Sequence, residues 1–359
     1  MKSIIYTNNS LNGLQNLQLA NNNVYIIIDR NLQHLAGHFK QFHTIFFNGG
    51  EQEKILNSVA SLASSLLEAG ADRDALIVGV GGGITTDIAG FTASIYKRGV
   101  KFAFVPTTLL AQVDASIGGK NGVNLHSYKN ILGTINQPEW IYICPELLRT
   151  LPEDEFKAGI AEVLKTFILF DKQMYSAAVE YFSQVAQKYG SREDKNTLYG
   201  EIAVEHNLDL LTQIISKCAH YKSGVVERDE FEKGERRLLN LGHTFAHSIE
   251  KLTQGTISHG YAVSIGMVIA AKIAQAMGSA QHGFPEQLAQ DLRSCALPAL
   301  LEEHPATAHL TMGELAKAIT KDKKVHGDNI HFILPKGLQE VEDMLLPINT
   351  INSIADDLR

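Results

Sequence analysis

Ala75-Leu-Ile-Val-Gly-Val-Gly81-Gly-Gly83-Ile-Thr-Thr-Asp87-Ile-Ala-Gly90 runs an apolar stretch straight into three consecutive glycines and then into a segment of helical character. The reading is strand, glycine turn, helix. Glycines let the backbone approach a pyrophosphate closely, and the free N–H groups at the helix start offer donors together with the positive end of the helix dipole. The spacing departs from G-x-G-x-x-G. A tight strand-to-helix turn without a ligand has the same appearance, so the stretch settles the local fold before it settles a ligand.

The flanking segments repeat the alternation. Val24-Tyr-Ile-Ile-Ile-Asp29, followed by Arg30-Asn31, and Thr44-Ile-Phe-Phe-Asn48 read as strands, the latter ending in Gly49-Gly50-Glu51-Gln52-Glu53-Lys54. Ile55, Val59, Leu62, Leu66 and Leu67 then follow helical spacing, and Phe102-Ala-Phe-Val-Pro106 is a further strand. Strands alternating with helices imply an α/β region with a parallel, Rossmann-like sheet. Beyond it, Thr107-Thr108-Leu-Leu-Ala-Gln-Val-Asp114-Ala-Ser-Ile-Gly-Gly119-Lys120 and Tyr128-Lys129-Asn130 read as a loop. Asp114, Lys120, Lys129 and Asn130 among glycines suit a polyhydroxylated, phosphorylated small molecule, because lysines neutralise phosphate while amides and carboxylates hold hydroxyls. Arg98, in Tyr96-Lys-Arg98-Gly99, is either another anion anchor or a surface residue.

After Leu147-Leu-Arg-Thr150-Leu-Pro152 the pattern changes to long helical segments, with no strand until Ile330-His-Phe-Ile-Leu334. The expected boundary therefore lies near Pro152, giving an N-terminal domain over 1–152 and a mostly helical domain over 153–359. The polar run from Gln187 to Thr197 reads as a surface loop. Lys222 and the cluster Glu232-Lys-Gly-Glu-Arg236-Arg237 are, on pattern alone, a solvated helix face.

Within the helical half, Asn240-Leu-Gly-His243-Thr-Phe-Ala-His247 places His243 and His247 on one helix face, and His259 follows His243 by sixteen residues. Gly159-Ile-Ala-Glu162-Val-Leu-Lys165 adds a carboxylate and an ammonium to an apolar segment. Glutamate plus two histidines is a zinc set, and three protein ligands leave a coordination position open for chemistry. A histidine on an apolar helix is also often just a satisfied core residue.

Composition removes several classes. At 359 residues with 45% hydrophobic content, the chain is large enough for two cores. Its formal charge of −7 excludes a polymer-phosphate surface, so no nucleic-acid partner is expected. No apolar run approaches the roughly 20 residues of a bilayer span, and Met1-Lys-Ser-Ile-Ile lacks a signal h-region, so a cytoplasmic protein without membrane contact is expected. Cys144, Cys218 and Cys295 are too scattered for a disulfide framework or a CxxC site.

Gly81-Gly-Gly-Ile-Thr-Thr-Asp87, Val105-Pro-Thr-Thr-Leu-Leu-Ala-Gln-Val-Asp-Ala-Ser-Ile-Gly-Gly-Lys120, Ala161-Glu-Val-Leu-Lys165, Asn240-Leu-Gly-His-Thr-Phe-Ala-His247 and Asp322-Lys-Lys324 together resemble the 3-dehydroquinate synthase family. The match runs in order from about Asp29 to Leu334. The resemblance implies a Rossmann-like NAD-binding domain, a helical metal-binding domain and a homodimer. It implies zinc, with cobalt as an alternative, on Glu162, His243 and His259, which leaves His247 as a proton-transfer or substrate residue. NAD contacts carry over to Asp29, Asn31, Glu51 to Lys54, Gly82, Gly83, Asp87, Thr107, Thr108 and Lys129, with Thr150 nearby. Substrate contacts carry over to Arg98, Asp114, Lys120, Asn130, Lys165, Lys222, Arg236, Asn240 and one of Lys323 and Lys324, Lys323 being the residue named here.

The implied reaction converts 3-deoxy-D-arabino-heptulosonate 7-phosphate to 3-dehydroquinate and phosphate in the shikimate route, by transient oxidation, phosphate elimination, reduction and aldol closure. Thr86, Asn121 and Tyr128 depart from residues common in the family, and Thr86 adds a β-branch at the glycine turn. Two alternatives share the architecture: a cyclase acting on another sugar phosphate such as sedoheptulose 7-phosphate, and a metal-dependent polyol dehydrogenase.

Overall fold

A computed structural model describes residues 3–17, 23–126, 128–319, 325–326 and 329–347. The strands are β1 (Ile4–Thr7), β2 (Val24–Asp29), β3 (His43–Phe47), β4 (Leu76–Gly81), β5 (Lys101–Pro106), β6 (Lys120–Leu125), β7 (Tyr128–Ile135), β8 (Trp140–Ile143), β9 (Val325–His326), β10 (Asn329–Gly337) and β11 (Glu340–Pro347). The helices are α1 (Leu56–Glu68), α2 (Gly83–Ile95), α3 (Glu153–Phe170), α4 (Lys172–Gly190), α5 (Tyr199–His206), α6 (Leu208–Arg228), α7 (His243–Leu252), α8 (His259–Ala276), α9 (Phe284–Ser294) and α10 (Met312–Ile319). They form two compact units, Met1–Leu151 with Asn207–Glu227, and Pro152–His206 with Arg228–Arg359. The stretch 207–227 thus goes with the first unit, although the boundary drawn near Pro152 had placed it in the second.

The first unit is built on six parallel strands in the order β1-β8-β5-β4-β2-β3. Ile26, Ile28, Val78, Val80, Ala103 and Val105 pack with Phe39 and Tyr142 in one buried cluster, as β-branched runs do when helices cover a parallel sheet. The chain goes outward from β2 to β3, then returns to the other side of β2 to lay down β4. This is a topological switch point, where α/β sheets bind ligands beyond their strand ends. Asp29 ends β2 and Gly81 ends β4 at that place.

Two sequence readings require correction. The stretch expected to be a loop between Thr107 and Asn130 contains β6, which Lys120 opens, and β7, which carries Lys129 and Asn130; the two strands pair antiparallel. Gly122 and Gly133 face each other there, and a Cβ on Gly122 would lie 2.7 Å from the Leu132 carbonyl oxygen. Helix α4 also continues to Gly190, inside the stretch read as a loop from Gln187.

In the second unit α8 is buried along nearly its whole length, which explains why its sequence shows apolar residues on every face. Two glycines set how closely its neighbours approach. A Cβ on Gly260 would stand 2.2 Å from the Ala158 carbonyl oxygen of α3, and one on Gly266 would stand 2.2 Å from the Gly242 carbonyl oxygen ahead of α7. Gly242 itself has φ +78, the left-handed conformation that glycine adopts without strain. Helices α3, α7 and α8, which carry Glu162, His243 and His259, thereby approach one another closely.

Candidate functional site

In the second unit, one carboxylate and two imidazoles converge. Ligand atoms of Glu162, His243 and His259 all lie within 4.8 Å of one another. His243 Nε2 is 3.6 Å and His259 Nε2 3.4 Å from Glu162 Oε1. Tetrahedral bonds of about 2.1 Å put neighbouring ligands roughly 3.4 Å apart, close to the two separations between Glu162 and the histidines. Neither oxygen of the fully buried Glu162 has a hydrogen-bond donor in good geometry; ion-pair contacts with Lys165 and the imidazoles surround it instead. A buried carboxylate in that condition fits a cation.

The protonation states are uneven. Burial opposes the charge of Glu162, yet Lys165 and then His243 hold its carboxyl well below the usual carboxylate range. Burial, reinforced by Lys165, pushes the His243 imidazole well below its usual range, so it is neutral and ready to donate a lone pair. His259 goes the other way: although burial opposes it, Glu162 and Glu250 raise it to about 10. His247, one turn after His243, has its ring centroid 5.7 Å from that of His243 and lies outside the ligand triangle.

Beside these residues, Arg236 is buried and donates to the Glu230 carbonyl at 2.5 Å. Its own amide, with those of Lys233 and Gly234, donates to the Asp229 carboxylate, and Asn240 donates to Glu232 Oε1 at 2.5 Å. Glu232 has φ +58, a strained conformation for a non-glycine residue. The cluster read as a solvated face is therefore an organised turn, shaped by its own Glu232 and by Asp229, which sequence reasoning passed over. Their signal in sequence is only the spacing of acids around Gly234.

The first unit carries the other candidates. No side chain caps the start of α2, so its first N–H groups are available beside Gly82 and Gly83. A Cβ on Gly82 would meet Thr108 Cγ2 at 3.0 Å, and one on Gly83 would meet Ala115 Cβ at 3.1 Å. Across the switch point, Thr85 Oγ1 donates to Asp29 Oδ2 at 3.4 Å and the Asn31 amide to Asp29 Oδ1 at 2.9 Å. The Thr107 amide donates to the Gly81 carbonyl at 2.9 Å. Thr86 is fully buried and turns its hydroxyl onto the carbonyls of Gly82 and Gly83, so its extra bulk points into the helix rather than out of the turn.

Lys54 Nζ reaches Asp87 Oδ2 at 2.5 Å and Asn130 Oδ1 at 2.6 Å, joining three segments distant in sequence. Burial pushes the Asp87 carboxyl up to about 6 against the pull of Lys54. Glu51 accepts from the Asn124 side-chain amide, whose Oδ1 accepts from the Asn130 backbone amide. Lys222, on α6, meets Asp114 Oδ1 at 2.7 Å. Arg98 and Asn130 both have positive φ, at 74° and 50°, and both are exposed, as are Lys120 and Lys129. Thr150 closes the turn Pro145–Thr150 and is exposed. Lys323 and Lys324 lie outside the described residues.

A parallel sheet with a glycine turn at its switch point, in one chain with a helical unit bearing a Glu–His–His cluster, defines an α/β protein with a candidate metal site. Its likeness to solved structures agrees. A 2-epi-5-epi-valiolone synthase from Streptomyces hygroscopicus with NAD+ and Zn2+ bound superposes at TM-score 0.83 and 24% identity, covering 100% of this chain and 97% of that one. A 2-deoxy-scyllo-inosose synthase complexed with carbaglucose-6-phosphate, NAD+ and Co2+ gives 0.77 at 25% identity, over 98% and 96%.

Sequence comparison narrows the class further. Residues 44–158 match the family model described as 3-dehydroquinate synthase N-terminal, and residues 159–325 match 3-dehydroquinate synthase C-terminal. The 3-dehydroquinate synthase of Saccharolobus solfataricus is 37% identical over 94% of this chain and 91% of its own, and that of Synechocystis is 40% identical over 81% and 75%. The chain belongs to the 3-dehydroquinate synthase family.

Proposed function

We propose that the chain converts 3-deoxy-D-arabino-heptulosonate 7-phosphate to 3-dehydroquinate and phosphate, with NAD and zinc as cofactors. The observation that carries this reading is the Glu162–His243–His259 triangle with the buried Lys165 beside it, in a chain of this family. When bound, NAD supplies a recyclable hydride acceptor and zinc a Lewis acid for the substrate hydroxyls.

The chain's own residues supply the rest. Glu162, His243 and His259 hold the metal, and the α2 N-terminus with Gly82 and Gly83 takes the NAD pyrophosphate. Asp29, Asn31, Glu51, Lys54, Asp87, Thr107, Thr108, Lys129 and Thr150 hold the remainder of the dinucleotide. Arg98, Lys120, Lys222 and Asn130 bind the substrate phosphate and orient it as a leaving group, which lets binding energy far from the reacting carbons act in the transition state. Asp114, already ion-paired to Lys222, accepts from a substrate hydroxyl, while Arg236 and Asn240 take the carboxylate. His247 moves a proton. Lys165 adds positive charge beside Glu162, and Lys323 contributes from the C-terminal part. A cytoplasmic homodimer belongs to the same reading and is tested by sedimentation.

Phosphate release from the heptulosonate, in the presence of catalytic NAD and monitored for NADH absorbance, tests the proposal. Chelator-sensitive release without net NADH is the expected result. Turnover of sedoheptulose 7-phosphate instead, or accumulation of NADH, overturns it in favour of a sister cyclase or a dehydrogenase.

A further inference from the structure

Glu250 was not among the residues singled out by pattern, yet it is buried, at 7% exposure, near the C-terminal end of α7. That is an unfavourable place for a carboxylate. The helix dipole presents its negative end there, and removal from water opposes the charge further. A carboxylate persists in such a place when a partner compensates it, and here one partner is known. Glu250 Oε2 lies 3.5 Å from His259 Nδ1, while His259 Nε2 lies 3.4 Å from Glu162 Oε1. The ring is thus engaged at both nitrogens, one toward the ligand triangle and one away from it.

His243 shows the same polarity with a different anchor. Its Nε2 faces Glu162 at 3.6 Å, and its Nδ1 lies 3.1 Å from the Leu241 carbonyl oxygen. Both imidazoles therefore present Nε2 inward, one steadied by backbone and the other by a carboxylate. The route of the chain accounts for this arrangement. Glu250 follows His243 by seven residues, two helical turns, and so returns to the face that carries His243 and His247. Its carbonyl accepts the Gly255 amide at 2.9 Å, which closes α7, and the turn that follows leads to Ser258, whose hydroxyl caps α8 one residue before His259. The backbone of Glu250 thus helps deliver His259, and its side chain meets it.

We infer that Glu250 is a positioning residue for the metal centre, holding His259 by Nδ1 so that Nε2 is presented to the ion. Outer carboxylates of this kind fix the tautomer and orientation of a ligating imidazole and increase its basicity. The inference rests on the reading of the triangle as a metal site.

The test is zinc affinity of the full chain, measured by competition with a chromophoric chelator, for the unsubstituted protein, Glu250→Gln and Glu250→Ala. Gln keeps an acceptor for Nδ1–H but loses the charge, whereas Ala loses both. Affinity should fall roughly 10-fold in the first and toward roughly 100-fold in the second, the range typical of lost outer-shell partners. The visible absorption of the Co2+-loaded variants should shift as the ring relaxes, and turnover of both variants should recover in excess zinc. Wild-type affinity and an unchanged cobalt spectrum in Glu250→Gln and Glu250→Ala overturn the inference while leaving the metal site intact. If Glu250→Ala does not fold, the near-isosteric Gln variant decides alone, and unaltered affinity there is the overturning result. Failure of the unsubstituted protein to bind zinc removes the metal-site reading and this inference with it.

Discussion

The glycine turn of the first unit and the Glu–His–His triangle of the second prepare for cofactors by opposite means. At the turn, side chains are withheld: Gly81, Gly82 and Gly83 lead into an α2 whose first N–H groups no side chain caps, and the nearby charges, Lys54 and Asp87, are already paired. At the triangle, side chains are concentrated, and the buried Glu162 carboxylate is surrounded by Lys165 and the two imidazoles without a hydrogen bond in good geometry. A site made of backbone tolerates loss of one contact, while a site made of three ligands does not. Neutralising a member of the triangle should therefore do far more damage than enlarging a member of the turn.

The largest effect is expected from Glu162→Gln. It removes a proposed ligand and leaves Lys165 buried without its carboxylate, which should destabilise the fold by about 3–5 kcal/mol. Zinc content by atomic absorption should drop from one equivalent to none, and turnover should disappear with it. A variant that keeps a full equivalent would remove Glu162 from the ligand set.

Gly260→Ala and Gly82→Ala come next and set the two regions against each other. The new Cβ at 260 would fall 2.2 Å from a backbone oxygen, so α8 must move away from α3, at about 1–3 kcal/mol and with weakened zinc binding. At 82 it would meet a threonine methyl at 3.0 Å, a smaller demand that should weaken NAD and leave zinc alone. Calorimetry with each ligand reads both variants; a zinc defect in Gly82→Ala would erase the distinction.

The two regions should also answer differently to pH. In the metal-free protein His259 is raised from 6.5 to about 10, so the stability it contributes is full below pH 6.5 and is lost as the pH rises toward 10. Zinc must displace that proton, while His243 is already neutral and Glu162 already ionised. Loading at pH 7 should release about one proton, and zinc affinity should rise about tenfold per pH unit, as potentiometric titration would register. Asp87, raised from 3.8 to about 6, favours the folded state in its protonated form, so stability from this group declines as the pH rises from 3.8 to 6. If, as proposed, Asp87 binds NAD through its ionised carboxylate, affinity should weaken as the pH falls through 6; an affinity flat from pH 5 to 7 would exclude Asp87 from the cofactor site.

The smallest effect is expected at Thr86. Because its hydroxyl bonds within its own helix, Thr86→Ser should change NAD affinity by less than about twofold, within the few tenths of a kcal/mol that separate such residues in helices. A larger change, measured in the same calorimeter, would mean that the residue touches the cofactor.

Legibility in the sequence followed continuity. The β4–turn–α2 unit is one unbroken stretch whose period changes visibly, and the extent of β2 was readable from five consecutive buried residues. The β6–β7 hairpin was not, because β7 starts with four exposed residues and the glycines at 122 and 133 serve close pairing rather than a turn. The candidate ligands were visible as types, but their convergence depends on Gly260 and Gly266, whose role is steric and leaves no periodic trace. Glu250 was within reach of the same helical spacing that linked His243 to His247, one turn further on. The allegiance of α6 was not, since an amphipathic helix shows that it has an apolar face but not which core receives it.

That allegiance reaches into the birth of the protein. The first unit is completed only by residues 207–227, so a nascent chain that has finished β8 still lacks the helix bearing Lys222. At about 5–20 residues per second the ribosome needs several seconds more to deliver it. During that interval the first unit lacks one of its helices, and a fragment cut at the apparent border near Pro152 would lack it permanently. The border that divides the sequence by pattern is therefore the wrong place to cut a stable piece.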